Sequence, residues 1–425
     1  MAEIKAFKGL RYTEKAGGIC SLCCPPYDII SKEERARFLE TNPFNIIRLE
    51  LPEALSDNSE TDVYAAAGDY LRDWLGKGIL KNDDDENIYV YEMEFEVYNT
   101  KKSVTGFISL VKLEEFSKGI ILPHEETLSK AKTDRFNLMK ATSCNFSQIY
   151  SLYMDGDRSV SDMLEGIRKD APANTFADCN GVTHKLWVVN DPAFIEKIAD
   201  LMAEKKLYIA DGHHRYETAL NYRNTGEKGT ADYVPMMLVN MENEGLVVFP
   251  THRIVRDLKN YEQGEIISKC GEYFEIITNL NREKAENAID EAYKNNKKAF
   301  ILYSGDNNYT SLTLKDIDIM KAFLPEASTA LRGLDVSVLH TLVLERIFGI
   351  DKENMANQKN LTYTRIADEA IAEVDGKRAN CCFLLNPTRV EEIRDVAMAG
   401  EKMPQKSTYF YPKLTTGLVM NQIVK

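Results

Sequence analysis

The fold is indicated most clearly by one stretch near the middle of the chain, Leu207-Tyr208-Ile209-Ala210-Asp211-Gly212-His213-His214-Arg215-Tyr216-Glu217. Its first four residues are apolar and predict a buried strand. Gly212 then permits a tight turn. Beyond the stretch, Ala219, Leu220 and Tyr222 continue an apolar pattern. The sequence therefore predicts a strand, a glycine turn and the first turn of a helix.

This turn is also a predicted anion site. Backbone N–H groups at a helix start point outward, and the helix dipole favours negative charge there. Arg215 adds a two-pronged phosphate donor, and His213 and His214 add donors near neutral pH. Two of the six histidines lie here, which favours a functional role. The alternative is that Asp211 only caps the helix and the histidines are surface residues. Neighbouring histidines on a helix do not converge on a metal.

Strand-like and helix-like patterns alternate on both sides of this stretch and predict a mixed α/β (α+β) fold. A capping box at Ser31 and Glu34 predicts the start of a helix. The double proline before this box predicts an extended loop. Thr388 is the expected N-cap of the last helix. Strands are predicted at 93–97 (half-buried), 104–113, 207–210, 236–241, 246–249, 299–303, 311–314 and 381–385; helices at 32–40, 194–205, 283–295 and 389–398; and a loop at 57–62. The chain is expected to divide into three regions, at 1–120, 121–260 and 261–425.

The composition narrows the class of protein. The 425 residues are 44% hydrophobic and 28% charged, an ordinary globular balance. A net charge of −13 argues against nucleic-acid and polybasic membrane partners. No apolar run is long enough to span a membrane, and residues 1–5 lack the apolar core of a signal peptide. Cys20, Cys23 and Cys24 have no second ligand pair for zinc. We expect a cytoplasmic protein that binds small molecules, and the oligomeric state stays open.

Other polar segments supply candidate site residues. The stretch His124-Glu125-Glu126-Thr127 offers a base and is followed by the cations Lys132 and Arg135. The alternative interpretation of this segment is a solvated charged helix. Residue 128 is Leu, so the zinc motif H-E-x-x-H is absent. Phosphate-binding chemistry is offered by Lys406, Ser407 and Thr408, without a Walker A pattern. Weaker signals are His252 with Arg253, Asp28 after the double proline, and Asp335 with His340.

The Asp211–Arg215 turn resembles the D-G-H-x-R box of the ParB/sulfiredoxin superfamily, in which such a turn binds nucleotide phosphates. Over nearly its whole length the chain resembles a bacterial and archaeal family defined only as a domain of unknown function, number one thousand and fifteen in that series. The matching segments are residues 25–28, 124–125, 132–135, 211–220, 251–253 and 403–413. A sulfiredoxin has a catalytic cysteine where this chain has Gly212. A ParB partition protein would add a basic face, which the net charge disfavours.

The resemblance that remains is to ParB-like free serine kinases. It implies a ParB/sulfiredoxin-like core and a nucleotide-dependent phosphotransferase acting on a small hydroxyl compound, with free L-serine the specific expectation and ATP or ADP with Mg²⁺ as cofactors. The expected catalytic residues are Glu125, Asp211, His213 and His214; the phosphate-binding residues are Gly212, His213, Arg215, Lys406, Ser407 and Thr408; and the substrate-binding residues are Asp28, His124, Lys132, Arg135, His252 and Arg253. Metal ligands are not assigned. The alternatives are a phosphatase of a phosphoserine-like compound and a non-catalytic nucleotide-binding regulator.

Overall fold

The computed structural model describes residues 2–52, 62–127, 129–226 and 230–423. The predicted loop at 57–62 lies almost wholly outside the described residues. The strands are β1 (Ile4–Lys5), β2 (Leu10–Tyr12), β3 (Leu80–Asn82), β4 (Ile88–Val97), β5 (Thr100–Lys112), β6 (Ile121–Leu122), β7 (Cys144–Asn145), β8 (Ile149–Tyr153), β9 (Asn174–Ala177), β10 (Thr183–Val189), β11 (Leu207–Asp211), β12 (Tyr233–Asn240), β13 (Val247–Phe249), β14 (His252–Val255), β15 (Phe274–Leu280), β16 (Ala299–Tyr303), β17 (Tyr309–Leu314), β18 (Leu361–Thr364), β19 (Cys381–Leu385), β20 (Tyr409–Tyr411) and β21 (Asn421–Gln422).

The described helices include the four predicted at 32–40, 194–205, 283–295 and 389–398, each of which begins and ends within three residues of the predicted bounds. The described helices are α1 (Lys32–Thr41), α2 (Ile47–Glu50), α3 (Val63–Gly76), α4 (Ser129–Thr142), α5 (Ser159–Ile167), α6 (Pro192–Met202), α7 (His213–Asn224), α8 (Gln263–Cys270), α9 (Arg282–Lys294), α10 (Ile319–Phe323), α11 (Thr329–Arg332), α12 (Asp335–Val338), α13 (Lys352–Ala356), α14 (Ala367–Asp375) and α15 (Val390–Met398), with a π-helix at Leu339–Glu345. The predicted mixed α/β fold is confirmed. Within the described part of the chain, no helix combines the length and the apolar character needed to cross a membrane.

The chain forms two compact units. The first comprises Met1–Pro123, Thr127–Val247 and Pro412–Lys425, and the second comprises His124–Glu126 and Val248–Tyr411. The predicted regions at 1–120, 121–260 and 261–425 divide the chain by motif content. The two compact units do not test that division into three regions, which stays a prediction.

The first unit is built on a mixed sheet of nine described strands. Its order is β6-β11-β8-β12-β5-β4-β10-β9, and β1 pairs with β5. β11 runs parallel to β6, and β12 runs parallel to β8. The other pairings are antiparallel, including the β4–β5 hairpin, which contains the strands predicted at 93–97 and 104–113. Both Tyr98 and Asn99 adopt positive φ angles, 51° and 56°, at the hairpin turn. β11, which leads into the glycine turn, is therefore flanked by strands on both sides.

The half-buried alternation predicted at 93–97 is confirmed, but the residue just before it does not follow the pattern. Phe95 is buried and Glu96 is exposed, as the alternation requires, but Glu92 just before them is only 1% exposed. Its carboxylate accepts hydrogen bonds from Ser103, at 2.6 Å, and from Arg168. A carboxylate can be buried when donors compensate its lost hydration, and these two donors lie 11 and 76 residues away in sequence.

Helices α5, α6 and α7 contribute to the core of the first unit. Leu164, Ile198 and Tyr216 of these helices pack with sheet residues such as Val90 and Leu238. Each such side chain stabilises the fold by about 1.5–3 kcal/mol. This packing fixes the start of α7 at the end of β11, which positions the predicted anion turn.

The second unit contains an antiparallel six-stranded sheet in the order β15-β17-β16-β19-β14-β18. The strands predicted at 299–303 and 381–385 have these same bounds. The last helix begins one residue later than predicted. Its N-cap is Arg389, not Thr388, and Thr388 instead donates a hydrogen bond to the carbonyl of Ser407 at 2.8 Å.

The capping box that begins α1 is confirmed, because Ser31 accepts from the N–H of Glu34 and Glu34 accepts from the N–H of Ser31. The loop before it is not extended throughout. Tyr27–Ile29 forms a short 3-10 helix after the double proline, since Pro26 fixes a φ that suits the start of a helical turn.

Candidate functional site

The turn between β11 and α7 depends on glycine for two reasons. Gly212 has φ 93° and ψ 27°, in the left-handed region, and is the N-cap of α7. A Cβ atom at this position would lie 2.9 Å from Nε of Arg215. The alternative that Asp211 caps the helix is therefore wrong. Gly212 offers no side-chain cap to the first-turn N–H groups. The strand, glycine turn and helix follow one another as the sequence predicts, while anion binding at the turn stays a prediction.

The carboxylate of Asp211 is held by two cations. Its Oδ2 lies 2.5 Å from Arg215, one helical turn later, and its Oδ1 accepts from Nζ of Lys413. Arg215 also donates to the backbone carbonyl of Gln148. The side chains of Asp211, Arg215 and Lys413 are only 11–17% exposed. We call these three residues the charged triad.

The charged triad carries a net positive charge. Burial by itself raises the pKa of Asp211, but Lys413 and Arg215 outweigh burial, so the pKa lies well below its ordinary value. Two cations then face one anion, beside the positive end of a helix. His213 is buried and His214 is half-buried in the first turn of α7. The arrangement suits a phosphate group, which would take hydrogen bonds from Arg215 and Lys413.

A second group of charges lies near Arg215, and we call it the arginine cluster: Tyr27, Glu50, Asp134 and Arg135. Arg135 donates to the carbonyl of Glu50 at 2.7 Å and to Asp134 at 2.8 Å, and its guanidinium lies 4.1 Å from the Tyr27 ring centre. Burial raises the pKa of Glu50, although Arg135 and Arg215 oppose it. A cavity of about 40 Å³, room for one water, is lined by Glu50, Arg135 and Arg215.

The predicted substrate residues of the first unit differ in how fully they are engaged. Arg135 is 6% exposed and forms ion pairs with Glu50 and Asp134, although its Nη2 has no hydrogen-bond partner within the described structure. Lys132 forms an ion pair with Glu217 of α7 at 2.7 Å, and Thr127 donates to the same carboxylate at 2.8 Å. Asp28 is exposed, and no described residue forms an ion pair or hydrogen bond with its carboxylate. Its charge adds to burial in raising the pKa of Tyr27 to about 12.

Other predicted residues come together within the second unit. Glu125 accepts from the backbone N–H of Lys406 at 2.7 Å, and His124 lies 3.0 Å from the hydroxyl of Thr408. Arg253 donates to the carbonyl of Lys406 at 3.1 Å, and Ser407 donates to the carbonyl of Pro404. In the sequence these residues lie in separate segments. The fold brings the segment before α4 into contact with the segment after α15.

His252 is buried in β14, where its Nδ1 accepts from the N–H of Leu385 at 3.2 Å. Burial, with help from Arg253, lowers the pKa of His252 to about 4, so its ring is neutral near pH 7.

Sequence reasoning missed Lys413 and Glu50 as members of the site. Lys413 ends the segment 403–413 and lacks the hydroxyl neighbours that single out Lys406. Glu50 has no distinguishing local pattern. Among the residues that the structure describes, no three His, Cys, Asp or Glu side chains are placed to hold a metal ion.

Comparisons with known proteins give one family match, whose description names no activity, and several solved structures of low similarity. A family model described as "Protein of unknown function (DUF1015)" matches residues 4–337. No curated protein sequence matches the chain. Solved structures with some likeness include a conserved hypothetical protein from Pyrococcus furiosus, with 14% identity, a TM-score of 0.36, and 72% of this chain and 92% of that chain covered.

Two other structures have similar scores. A free serine kinase in complex with AMP has 12% identity and a TM-score of 0.39, with 74% of this chain and 91% of that chain covered. SbnI with a C-terminal truncation from Staphylococcus aureus has 12% identity and a TM-score of 0.37, with 73% and 86% covered. Because these scores are low, function has to be inferred from the geometry of the site.

Proposed function

The chain belongs to the DUF1015 family, whose description states no activity, and we propose from the site itself that the protein binds a nucleotide and transfers a phosphoryl group to a small hydroxyl compound. The observation that carries the proposal is the charged triad at the glycine turn. A phosphate at the start of α7 would receive the charge of Arg215 and Lys413 together with the helix dipole.

Free L-serine is the specific substrate we propose, on the basis of the D-G-H-x-R box. Serine needs partners for a carboxylate, an amine and a hydroxyl. Asp28 is an exposed carboxylate without an ion-pair partner among the described residues, so we assign it to the amine. Lys132 is the more accessible cation for the carboxylate, because its side chain is 27% exposed and that of Arg135 only 6%.

Asp211 is proposed as a positioning residue and not as the general base. A base must accept a proton near the working pH, whereas the pKa of Asp211 is held well below its ordinary value by Lys413 and Arg215, despite burial. Its carboxylate keeps both cations directed toward the turn. Glu125, the base predicted from the sequence, stays a prediction.

The proposed step is a direct transfer. The serine hydroxyl oxygen attacks the terminal phosphorus, the bond from that phosphorus to the bridging oxygen breaks, and ATP leaves as ADP or ADP as AMP. The hydroxyl proton passes to the base. Arg215 and Lys413 compensate the charge on the phosphate oxygens, which is the main requirement of such transfers. Mg²⁺, bound with the nucleotide, would neutralise part of the phosphate charge alongside Arg215 and Lys413.

One observation favours the non-catalytic alternative. The carboxylate nearest the turn, Asp211, is fully engaged and is a weak base, as a purely nucleotide-sensing protein would permit. Turnover therefore has to be measured separately from binding.

The test combines calorimetry with phosphorus NMR. Full-length protein receives Mg²⁺, serine and either ATP or ADP, and phosphoserine should accumulate as the nucleotide is consumed. Asp28→Asn and Glu125→Gln should lower turnover and leave nucleotide affinity unchanged. Arg223→Ala, in the last turn of α7, is the matched control.

Each alternative has its own outcome. Release of phosphate from phosphoserine without nucleotide would support the phosphatase. Nucleotide binding without any turnover would support the regulator. Absence of nucleotide binding would reject the proposal altogether.

A further inference from the structure

The second unit contains a cavity that the proposed phosphoryl transfer does not use. Its volume is about 300 Å³, at the lower end of the range of small-molecule pockets. Apolar and aromatic side chains supply much of its lining, namely Phe323, Leu324, Leu331, Met355 and Tyr363. Such a lining favours a ligand with an apolar body.

Two buried polar atoms on this cavity have no hydrogen-bond partner within the described structure. They are Oγ of Ser337 and Nε2 of His340, and their residues are 2% and 6% exposed. Buried polar atoms in folded proteins are nearly always paired. Because both residues line the same cavity, one polar ligand group could pair with both atoms.

His340 lies in the π-helix Leu339–Glu345. Such i→i+5 turns are rare and occur often at functional sites. Thr341 and Glu345 of the same segment also line the cavity. Burial, with a contribution from Arg253, lowers the pKa of His340 well below its ordinary value, so the ring is neutral and offers Nε2–H in one tautomer.

A buried cation beside the cavity determines the sign of the charge it favours. Arg253 is 1% exposed. Its guanidinium donates to the carbonyls of Thr251 and Lys406, and its Nε has no partner within the described structure. No described carboxylate forms an ion pair with it. It lies 5.6 Å from the ring centre of Tyr363, which lines the cavity.

Arg253 does not line the cavity itself, and the charged side chains that do line it cancel. Lys352 and Lys402 line it, and so do Glu126 and Glu345. The guanidinium of Arg253 has no ion-pair partner among the described residues; Tyr363 and Glu125 attract it electrostatically, but burial outweighs them and lowers the pKa of Arg253 to about 10. A buried charge without a partner is costly, and one negative charge would balance it.

We propose that this cavity binds a small monocarboxylate with an apolar body. The carboxylate accepts hydrogen bonds from the Ser337 hydroxyl and from Nε2–H of His340, and the charge of Arg253 compensates its own. The apolar side chains bury the body. This site is independent of the proposed phosphoryl transfer.

The test uses three probes of one shape on the full-length protein: phenylacetate, phenylacetamide and phenethylamine. Titration by ligand-observed NMR should show phenylacetate binding at least tenfold more tightly than phenylacetamide, with no binding of phenethylamine. Ser337→Ala should weaken phenylacetate binding several-fold without lowering the melting temperature, because its Oγ makes no hydrogen bond to the described residues of the unliganded protein. Ser268→Ala, an exposed position on α8, is the matched control.

A second variant fills the cavity with a larger side chain and leaves its charged and polar groups unchanged. Ala356→Trp, on the cavity lining, should abolish phenylacetate binding while the protein keeps its cooperative melting. Equal affinity for the acid and the amide would overturn the proposed charge preference. Binding unchanged in both variants would place the probe elsewhere and overturn the assignment to this cavity, and no binding of any probe at millimolar concentration would refute the site.

Discussion

Nζ of Lys413 contacts Oδ1 of Asp211 although the two residues are 202 positions apart. The contact brings a cation from the C-terminal segment to the glycine turn, within one compact unit. It leaves the pKa of Asp211 well below its ordinary value, against the effect of burial. Lys413 and Arg215 are thereby held on one carboxylate beside the start of α7, and substitutions at each of these positions test whether the arrangement binds a nucleotide.

Arg215→Ala should weaken nucleotide binding at least tenfold, because a charge-assisted hydrogen bond contributes about 1.5–3 kcal/mol. Isothermal calorimetry with ATP measures the change. Arg223→Ala removes an arginine from the same helix that instead pairs with Glu115, and it should bind ATP as the wild type does. Equal affinity in both variants would contradict the anion turn.

Gly212→Ala should destabilise the protein and lower nucleotide affinity together. Alanine is strained at φ 93°, by about 1–2 kcal/mol, and its Cβ would displace the Arg215 side chain. Gly226→Ala is a useful comparison, since Gly226 also has a positive φ, 82°, but a Cβ there would meet no described atom within 4 Å. Denaturant unfolding should show a loss of stability in both variants, and calorimetry should show a loss of affinity only in Gly212→Ala.

Asp211→Asn should lower the free energy of unfolding at pH 7 by about 1–3 kcal/mol, because two buried cations lose their charged acceptor. The pKa of Asp211 is depressed in the folded state, so its stabilisation is fully present above the unfolded-state pKa of about 3.9 and is lost as the pH falls toward the folded-state value. Urea unfolding of both proteins between pH 7 and pH 2.5 should therefore show the difference shrinking below about pH 4. A constant difference would argue against an ionised, ion-paired Asp211.

Lys413→Met should weaken nucleotide binding, because it removes one of the two cations at the turn. Lys406→Met tests Lys406, the lysine that the sequence analysis predicted to bind phosphate. Lys406 belongs to the second unit, where its backbone N–H donates to Glu125. Calorimetry on the two variants measures each contribution, and unchanged affinity in Lys413→Met would remove Lys413 from the proposed site.

Local patterns in the sequence were sufficient to predict the strand, the glycine turn and the start of the helix. The apolar run 207–210, the single Gly212 and the polar first turn after it each depend on neighbours within a few residues, so β11 and α7 begin where the pattern predicts. The capping box at Ser31 and Glu34 was predictable for the same reason. Thr388 failed as a cap because its hydroxyl bonds to Ser407, a partner that a local pattern does not reveal.

By itself, then, the sequence determined the mixed α/β class, the strand–glycine–helix turn and the presence of Arg215 in it, because backbone conformation and periodicity are local properties. Only the tertiary structure decided that Lys413 pairs with Asp211, that Arg135 is ion-paired with Glu50 and Asp134, and that Ser337 and His340 share a cavity. Ion pairing and burial depend on which distant segments meet, and that is set by the packing of the whole core, which no single stretch of sequence encodes.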